Sequence, residues 1–343
     1  MKKLLLCVII GLVAAILTTR LYDTVLDPQL AFFRRAAAAS DAWEAKVRAD
    51  GQPVYIFAGG SDVRMSIDPA VMLEDGVRAV NAGNNANMGM HCNASLALAY
   101  AKPGDTLVLC LYSNIMPDYD LLAAGLKFTF ERRGVDMFRD GIVPCTTRVL
   151  GDLFRGESGA WCVYFSKKLL KPDQMFKYDK GTVLHESGWV EVQERKIAQD
   201  ARSYSLHRAA PLPDYTQANA PLIEYIAKVK HACELKGVRL AVYLPRHFGD
   251  EFDEARAMFA MIALSYTRMG VPVIKDESFG VESDHTLFAD TTLHLSPEGV
   301  RRNSRIISRA LASPAESDRF WTEADLVEFL RFRGWNPDGS LAF

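Results

Sequence analysis

Residues 54–64 read Val54-Tyr55-Ile56-Phe57-Ala58-Gly59-Gly60-Ser61-Asp62-Val63-Arg64, and this stretch decides the fold. Its first five residues are apolar on both faces, which is typical of a strand buried in a parallel sheet. The two glycines that follow admit backbone angles that other residues resist. Open α/β sheets bind ligands beyond the carboxyl ends of their strands. The stretch therefore predicts that Ser61 lies at a functional edge, the alternative being an ordinary turn in which Ser61 or Asp62 caps a helix.

The alternation of strand and helix recurs along the rest of the chain. Apolar runs typical of strands lie at residues 77–81, 106–112, 238–244 and 271–274. Helical patterns lie at about residues 69–75, 93–101, 215–236, 253–269 and 297–311. Successive strand–helix units favour a parallel sheet with right-handed crossovers. We therefore expect a three-layer α/β/α sandwich on a mainly parallel sheet.

The amino-terminal segment carries Lys2 and Lys3 ahead of an almost wholly apolar run at residues 4–17. A basic start before an apolar run is typical of a signal anchor or a signal peptide. No small-residue cleavage site follows closely, which favours an uncleaved membrane helix over a cleaved signal. The two lysines orient its amino end to the cytoplasm, so the rest of the chain is expected on the periplasmic or extracytoplasmic side of the inner membrane.

These patterns divide the chain into four segments. We expect a membrane anchor at residues 1–20, a stalk or packing helix and linker at 21–52, an α/β domain at 53–315, and a C-terminal helix and tail at 316–343. The α/β domain carries an insertion at about residues 134–213. Within the insertion, residues 134–144 read as a loop, and residues 182–184 and 189–192 read as a hairpin.

Composition narrows the class of protein. The 343 residues carry a formal net charge of −2, so no bulk positive charge favours nucleic acid. This length with 49% hydrophobic residues suits one large α/β domain with additions. An oxidising compartment permits disulfides among the six cysteines, and Cys145 with Cys162 is the candidate pair. Cys110, in a predicted strand, fits a small buried hydrophobe instead.

A second motif precedes a helical pattern far downstream and reads Asp290-Thr291-Thr292-Leu293-His294-Leu295-Ser296-Pro297-Glu298-Gly299. Ser296 suits an N-cap and Pro297 the first helical position, so His294 falls on the loop before that helix. A serine hydroxyl needs a positioned base to act as a nucleophile, and the base needs a partner that fixes its tautomer. The candidates are Ser61 as nucleophile, His294 as base and Asp290 as the orienting carboxylate.

A glycine-flanked serine after the first strand, with an Asp/His pair before the last helix, resembles the SGNH (GDSL-type) hydrolase superfamily. The chain is most similar to its membrane-anchored cell-envelope branch, which includes the periplasmic proteins of alginate acetylation and the D-alanyl transfer protein of teichoic acids. The resemblance covers roughly residues 54–311 through short motifs. It implies an SGNH/flavodoxin-like fold and an oxyanion hole formed at Ser61, Gly83 and Asn114.

The motifs depart from the superfamily pattern at three places. The third block of the superfamily usually carries Asp after Asn, whereas Ile115 follows Asn114 here. The superfamily reads Gly-Asp-Ser where this chain has Gly59-Gly60-Ser61. It separates Asp and His by two residues, whereas three separate Asp290 from His294. Asp284 is therefore the alternative carboxylate.

The resemblance implies a serine-dependent O-acyltransferase or esterase that acts on acyl groups of a polysaccharide or similar glycan. It implies no cofactor and no metal. The implied partners are an acylated glycan or acyl donor and an integral-membrane acyltransferase. The alternative is a non-catalytic SGNH-like scaffold that binds glycan or an envelope assembly partner.

Other chemistry-bearing residues have simpler interpretations. A metal site would use four residues that lack a known ligand spacing, namely Asp284, His285, Asp290 and His294. His91 and Cys92 are adjacent, which favours the start of a helix over a nucleophile pair. Arg64 is suited to an anionic substrate group or to structural pairing with a carboxylate.

Overall fold

The computed structural model describes residues 28–85, 88–110, 123–154, 182–193, 220–249 and 252–336, with isolated positions between 7 and 17. Over these residues the protein is α/β with a parallel central sheet, as the alternation of strands and helices predicts. No helix in the described ranges combines the length and apolarity needed to span a membrane. Most of the predicted anchor at residues 1–20 lies outside the described residues.

The strands are β1 (Tyr55–Ala58), β2 (Ala79–Asn81), β3 (Thr106–Cys110), β4 (Thr182–Leu184), β5 (Val190–Val192), β6 (Arg239–Tyr243), β7 (His247–Phe248) and β8 (Val281–Glu282). The central sheet has the order β2-β1-β3-β6, with every pair parallel. The strand predicted at residues 271–274 is reduced to a parallel bridge between Val242 and Val273. The strand order changes direction between β1 and β3, which is where open sheets of this type form a crevice.

The helices are α1 (Pro28–Val47), α2 (Ser61–Arg64), α3 (Pro69–Glu74), α4 (Gly89–Tyr100), α5 (Ala123–Arg133), α6 (Asp136–Arg139), α7 (Thr147–Phe154), α8 (Ala220–Leu235), α9 (Phe252–Arg268), α10 (Pro297–Ala312), α11 (Glu316–Arg319) and α12 (Glu323–Phe332). A 3-10 turn covers His285–Leu287. The loop predicted at residues 134–144 was wrong in part, because α6 lies within it. Asp68 caps α3 by accepting a hydrogen bond from the backbone of Ala70, and Pro69 occupies its first turn.

Helices cover both faces of the sheet. Along β1, Ile56 and Ala58 pack in one apolar cluster with α4 and α8. Phe57 points the other way and packs in a second cluster with Ile307 and Leu311 of α10. Alternate residues of a strand face opposite sides, so a strand covered on both sides needs an uninterrupted apolar run. Burying a side chain of this size stabilises the fold by about 1.5–3 kcal/mol.

The segment predicted as a stalk or packing helix packs along β2. In α1, Trp43 Nε1 donates a hydrogen bond to the carbonyl of Ala79 (3.0 Å), and Ser40 Oγ donates to the carbonyl of Asn81 (2.7 Å). Leu330 of α12, near the other end of the chain, is buried in the same cluster as Trp43. Both flanking helices therefore contribute to the core of the α/β domain.

The hairpin predicted within the insertion is confirmed, because β4 and β5 pair antiparallel. Ser187, in its turn, donates a hydrogen bond from Oγ to Asp68 Oδ1 (2.6 Å). Trp189 packs with Phe248 and Phe288 in a small apolar cluster. The hairpin thus lies against the segment that follows Ser61. Residues 155–181 and 194–219 of the insertion lie outside the described residues.

Candidate active site

Ser61 is the first residue of α2, three positions after β1 ends. Gly60 is the N-cap of this short helix, and no side chain caps it. The Ser61 hydroxyl instead lies 2.9 Å from His294 Nε2. Ser61 therefore does not cap this helix, as the alternative interpretation of the stretch would require.

The two glycines before Ser61 were expected to adopt backbone angles that other residues resist, and the structure differs from that expectation. Neither Gly59 nor Gly60 has a positive φ among the described residues. A Cβ added to Gly59 would lie 2.4 Å from Val63 Cγ2 and 3.2 Å from the carbonyl oxygen of Cys110. Gly59 is therefore needed for space, because α2 folds back onto the end of β1 and against β3.

The histidine loop positions its carboxylate through a local turn. Asp290 Oδ1 lies 2.7 Å from His294 Nδ1. Thr291 Oγ1 accepts a hydrogen bond from the His294 backbone N–H (3.1 Å), and the Ala289 N–H donates to the His294 carbonyl (2.8 Å). This turn brings Asp290 and His294 to the same side although three residues separate them.

Burial and hydrogen bonding fix the protonation pattern of the imidazole. The Asp290 side chain is fully buried and the His294 side chain is 6% exposed. An ionised carboxylate only accepts hydrogen bonds, so Nδ1 carries the proton that faces Asp290. In the neutral ring Nε2 then accepts the hydrogen bond from the Ser61 hydroxyl. This is the arrangement that a general base next to a serine nucleophile requires.

Asp284, the alternative carboxylate, is occupied elsewhere. It is exposed and caps the 3-10 turn, accepting hydrogen bonds from the Thr286 backbone (3.0 Å) and from Thr286 Oγ1 (2.6 Å). The hydroxyl of Thr286 holds the pKa of Asp284 below its usual range. The geometry therefore selects Asp290 as the carboxylate that contacts His294.

Three hydrogen bonds join the segment after Ser61 to the histidine loop and to α10. Ser66 Oγ donates to the carbonyl of Leu293 (3.1 Å), directly before His294. Asn303 Nδ2 donates to the carbonyl of Ser66 (2.8 Å), and the Asp68 N–H donates to Ser304 Oγ (2.9 Å). These bonds fix the distance between two segments that are more than 200 residues apart in sequence.

A buried polar network supports Asn303 from the other side. Tyr243, at the end of β6, donates its hydroxyl to Asn303 Oδ1 (2.6 Å), and Arg246 Nε donates to the same oxygen (3.1 Å). Arg246 also pairs with Asp276 (3.0 Å) and faces Glu282 at 3.8 Å. A buried guanidinium with carboxylate partners is the arrangement that tolerates burial best.

Arg64 is buried without such a partner. Its guanidinium donates to the carbonyls of Gly83 and Gly188 and to Ser40 Oγ (2.9 Å). Among the described residues no carboxylate pairs with it, and burial lowers the pKa of Arg64 to about 10. Arg64 therefore joins α2 to the loop after β2, to α1 and to the β4–β5 hairpin through neutral acceptors.

Asp62 is a second buried charge in the same short helix. Its side chain is 3% exposed, and within the described part of the chain its Oδ2 has no hydrogen-bond partner. Burial raises the pKa of Asp62 to about 6, while His294 and the backbone N–H groups of Val63 and Gly60 act in the opposite direction. The sequence shows an acidic residue directly after the candidate nucleophile, but no pattern in the motif indicated that its side chain would be buried.

Ser61, Gly83 and Asn114 are the predicted oxyanion donors. The Gly83 N–H donates a hydrogen bond to Asn81 Oδ1 (3.0 Å). A Cβ at Gly83 would lie 2.6 Å from the backbone nitrogen of Arg64, so this glycine permits close packing. The Ser61 N–H donates to no other group in the described ranges. Asn114 lies outside the described residues.

The remaining cysteine and metal hypotheses find no support in the geometry. Burial raises the pKa of Cys92 to about 12, and the neighbouring His91 ring packs edge-on against Tyr225 at 5.0 Å. Cys145 carries a free, exposed thiol, and Cys162, its candidate partner, lies outside the described residues. Over the described ranges, no three His, Cys, Asp or Glu side chains are grouped as metal ligands would be.

Similarity to characterised proteins adds nothing to this geometry. A scan against models of known protein families found no match, and a search of curated proteins found no similar chain.

Proposed function

We propose that this chain is a serine-dependent acyl-transfer enzyme, either an esterase or an O-acyltransferase, acting on acyl groups of a polysaccharide or similar glycan. One observation carries the proposal. Asp290, His294 and Ser61 form a hydrogen-bonded series of 2.7 and 2.9 Å at the carboxyl edge of a parallel sheet. A series of carboxylate, imidazole and hydroxyl with these contacts is what nucleophilic catalysis by serine requires.

The residues act in two half-reactions. Ser61 Oγ attacks the acyl carbonyl carbon while its proton passes to His294 Nε2, and Asp290 stabilises the resulting imidazolium. The imidazolium returns the proton to the departing alcohol oxygen, which leaves an acyl ester on Ser61. Water or a sugar hydroxyl then attacks that ester and gives its proton to Nε2, which passes it to Ser61 Oγ as the acyl–Oγ bond breaks. Water as acceptor makes the protein an esterase, and a sugar hydroxyl makes it a transferase.

The tetrahedral intermediate carries a negative oxygen that needs donors. The Ser61 N–H, which donates to no group in the described ranges, supplies one donor in this proposal. Asn114 remains the proposed second donor because it follows β3, the strand next to β1 in the sheet.

Several features support assigning the domain to an SGNH/flavodoxin-like three-layer sandwich. The strand order β2-β1-β3-β6 places Ser61 at the switch point between β1 and β3. The basic and apolar amino-terminal sequence supports an anchored protein on the extracytoplasmic side of the inner membrane. An acylated glycan or acyl donor, and an integral-membrane acyltransferase, are the proposed partners.

A second candidate function is a non-catalytic scaffold that binds glycan or an envelope assembly partner. The observation that favours it is the hydrogen bond that the Gly83 N–H, an expected oxyanion donor, gives to Asn81. The two candidates differ in whether Ser61 reacts as a nucleophile.

Labelling with a fluorophosphonate probe separates these candidates. The full-length protein should be used, because α1 packs on β2 and a shorter chain would lose part of the core. Detergent is included because an N-terminal membrane anchor is expected. We expect labelling of the wild type, no labelling of Ser61→Ala and strongly reduced labelling of His294→Ala. Ser313→Ala is the matched control, since that serine is bonded to Asp318 on the surface and should leave labelling unchanged. Equal labelling of folded Ser61→Ala and wild type would rule out the proposed nucleophile.

A further inference from the structure

The carboxylate of Asp62 is buried beside the nucleophile, and its bonding is incomplete. The side chain is 3% exposed and directly follows Ser61 in α2. Within the described ranges Oδ2 has no hydrogen-bond donor. Leaving a buried carboxylate oxygen unpaired costs free energy, and natural structures rarely keep such groups without a purpose.

The surroundings of Asp62 connect it to the catalytic imidazole. His294 Nε2 lies 2.9 Å from the hydroxyl of Ser61, the residue directly before Asp62, and the charge of His294 lowers the pKa of the Asp62 carboxyl against the effect of burial. From the end of β3, the Cys110 thiol faces it and is fully buried. Arg64 lies in the same helical turn, but its guanidinium donates to Gly83, Ser40 and Gly188. Of these three groups, His294 is the one that gains a positive charge in the proposed reaction.

We propose that Asp62 is a second carboxylate of the site, a positioning residue that acts through His294 by stabilising the imidazolium formed when Ser61 gives up its proton. This inference rests on the proposed function. Asp62 forms and breaks no bond, because every proton transfer of the proposed reaction runs through His294 Nε2. Asp290 holds Nδ1 directly, whereas Asp62 contributes its charge from the side of the nucleophile.

The position of the Asp62 carboxylate near His294 gives a physical reason for burying it. An ionised carboxylate in a poorly solvated site attracts a neighbouring cation more strongly than it would in water. The charge on His294 exists only in the transition state and the intermediates, so the benefit of Asp62 appears there and its cost is borne in the resting state. A residue of this kind lowers stability and raises activity together.

The test is Asp62→Asn, which keeps the shape of the side chain and removes its charge. We expect kcat for p-nitrophenyl acetate to fall about tenfold with KM nearly unchanged, because the lost interaction is absent from the substrate complex. We also expect the acid limb of the kcat/KM profile to move to lower pH, since the imidazolium loses a neighbouring negative charge.

Asp68→Asn is the matched control. Asp68 lies in the same segment, caps α3 and bonds to Ser187, but its contacts do not include His294. Its replacement should lower stability without moving the acid limb. An Asp62→Asn enzyme with the wild-type acid limb and wild-type kcat would overturn the inference.

Titration of the His294 ring by NMR keeps the inference testable without turnover. If the wild type has no activity that depends on Ser61, the proposed function fails, and the ring titration alone then decides the role of Asp62. We expect the ring to become protonated at lower pH in Asp62→Asn than in the wild type. The same titration curve in both proteins would refute the link between Asp62 and His294.

Discussion

The two sides of the candidate site differ in how they satisfy their charged groups. In the histidine loop, Asp290 is paired with His294, and nearby Arg246 is paired with Asp276. In the nucleophile turn, Arg64 is bound by neutral acceptors, and Asp62 retains an oxygen without a donor in the described ranges. The histidine loop is stabilised by its polar contacts, whereas the buried charges of the nucleophile turn lower the stability of the fold. Loss of a buried charge should therefore cost more stability beside the histidine loop than in the nucleophile turn, where loss of the Asp62 charge should raise stability.

The largest effect should come from the two residues that exchange the proton. Ser61→Ala and His294→Ala should each lower kcat by about four to six orders of magnitude, because members of such a series act as a unit. Ser61→Ala should change the melting temperature little, since the hydroxyl caps no helix. Steady-state kinetics with p-nitrophenyl acetate and thermal unfolding measure the two quantities. Wild-type turnover in a folded Ser61→Ala protein would show that Ser61 is not the nucleophile.

The next effect distinguishes the two carboxylates of the histidine loop. Asp290→Asn should lower kcat by about two to four orders of magnitude, because an amide facing Nδ1 disturbs the tautomer that the base needs. Asp284→Asn should leave kcat nearly unchanged, since Asp284 is exposed and bonded to Thr286. The same assay measures both variants. An equal loss in the two would contradict the assignment of Asp290.

The two buried arginines test the difference in stability. Arg246→Met leaves Asp276 buried without its partner and should cost about 3–5 kcal/mol in the free energy of unfolding. Arg64→Met leaves only neutral acceptors without a donor and should cost less, about 1–3 kcal/mol. Urea unfolding of the full-length protein gives both values. A greater loss in Arg64→Met would show that the nucleophile turn depends more on its charge than the histidine loop does.

The smallest effect is a dependence of stability on pH that originates at Asp62. Burial raises the pKa of Asp62 from 3.8 to about 6 in the folded protein, so folding takes up a proton between these values. The stability contributed by the protonated form is complete below about pH 4 and is lost as the pH rises through about 6. Asp62→Asn should therefore melt at a higher temperature than the wild type at pH 8, by the equivalent of about 1–3 kcal/mol. At pH 4 the two should melt at similar temperatures, and a less stable variant at pH 8 would contradict the cost assigned to this carboxylate.

The sequence by itself predicted the strands of the central sheet and the residues of the candidate triad. Apolar runs bounded by turn residues located β1, β2, β3 and β6, because burial on both faces demands an uninterrupted apolar strand. The capping residues Asp68 and Ser296 fixed the starts of two helices through local hydrogen bonds. Ser61, Asp290 and His294 were identifiable because they end strands or precede a helix, and those positions meet at one edge of a parallel sheet.

Only the tertiary structure decided which groups touch. The choice of Asp290 over Asp284 depends on a turn closed by Thr291, and the hydrogen bond of the Gly83 N–H depends on the Asn81 side chain. The packing of α1 against β2 and the burial of Asp62 arise from segments distant in sequence, which no local pattern records. Local propensity and periodicity act over a few residues, whereas pairing, desolvation and close approach are set by whatever the folded chain brings within a few ångströms.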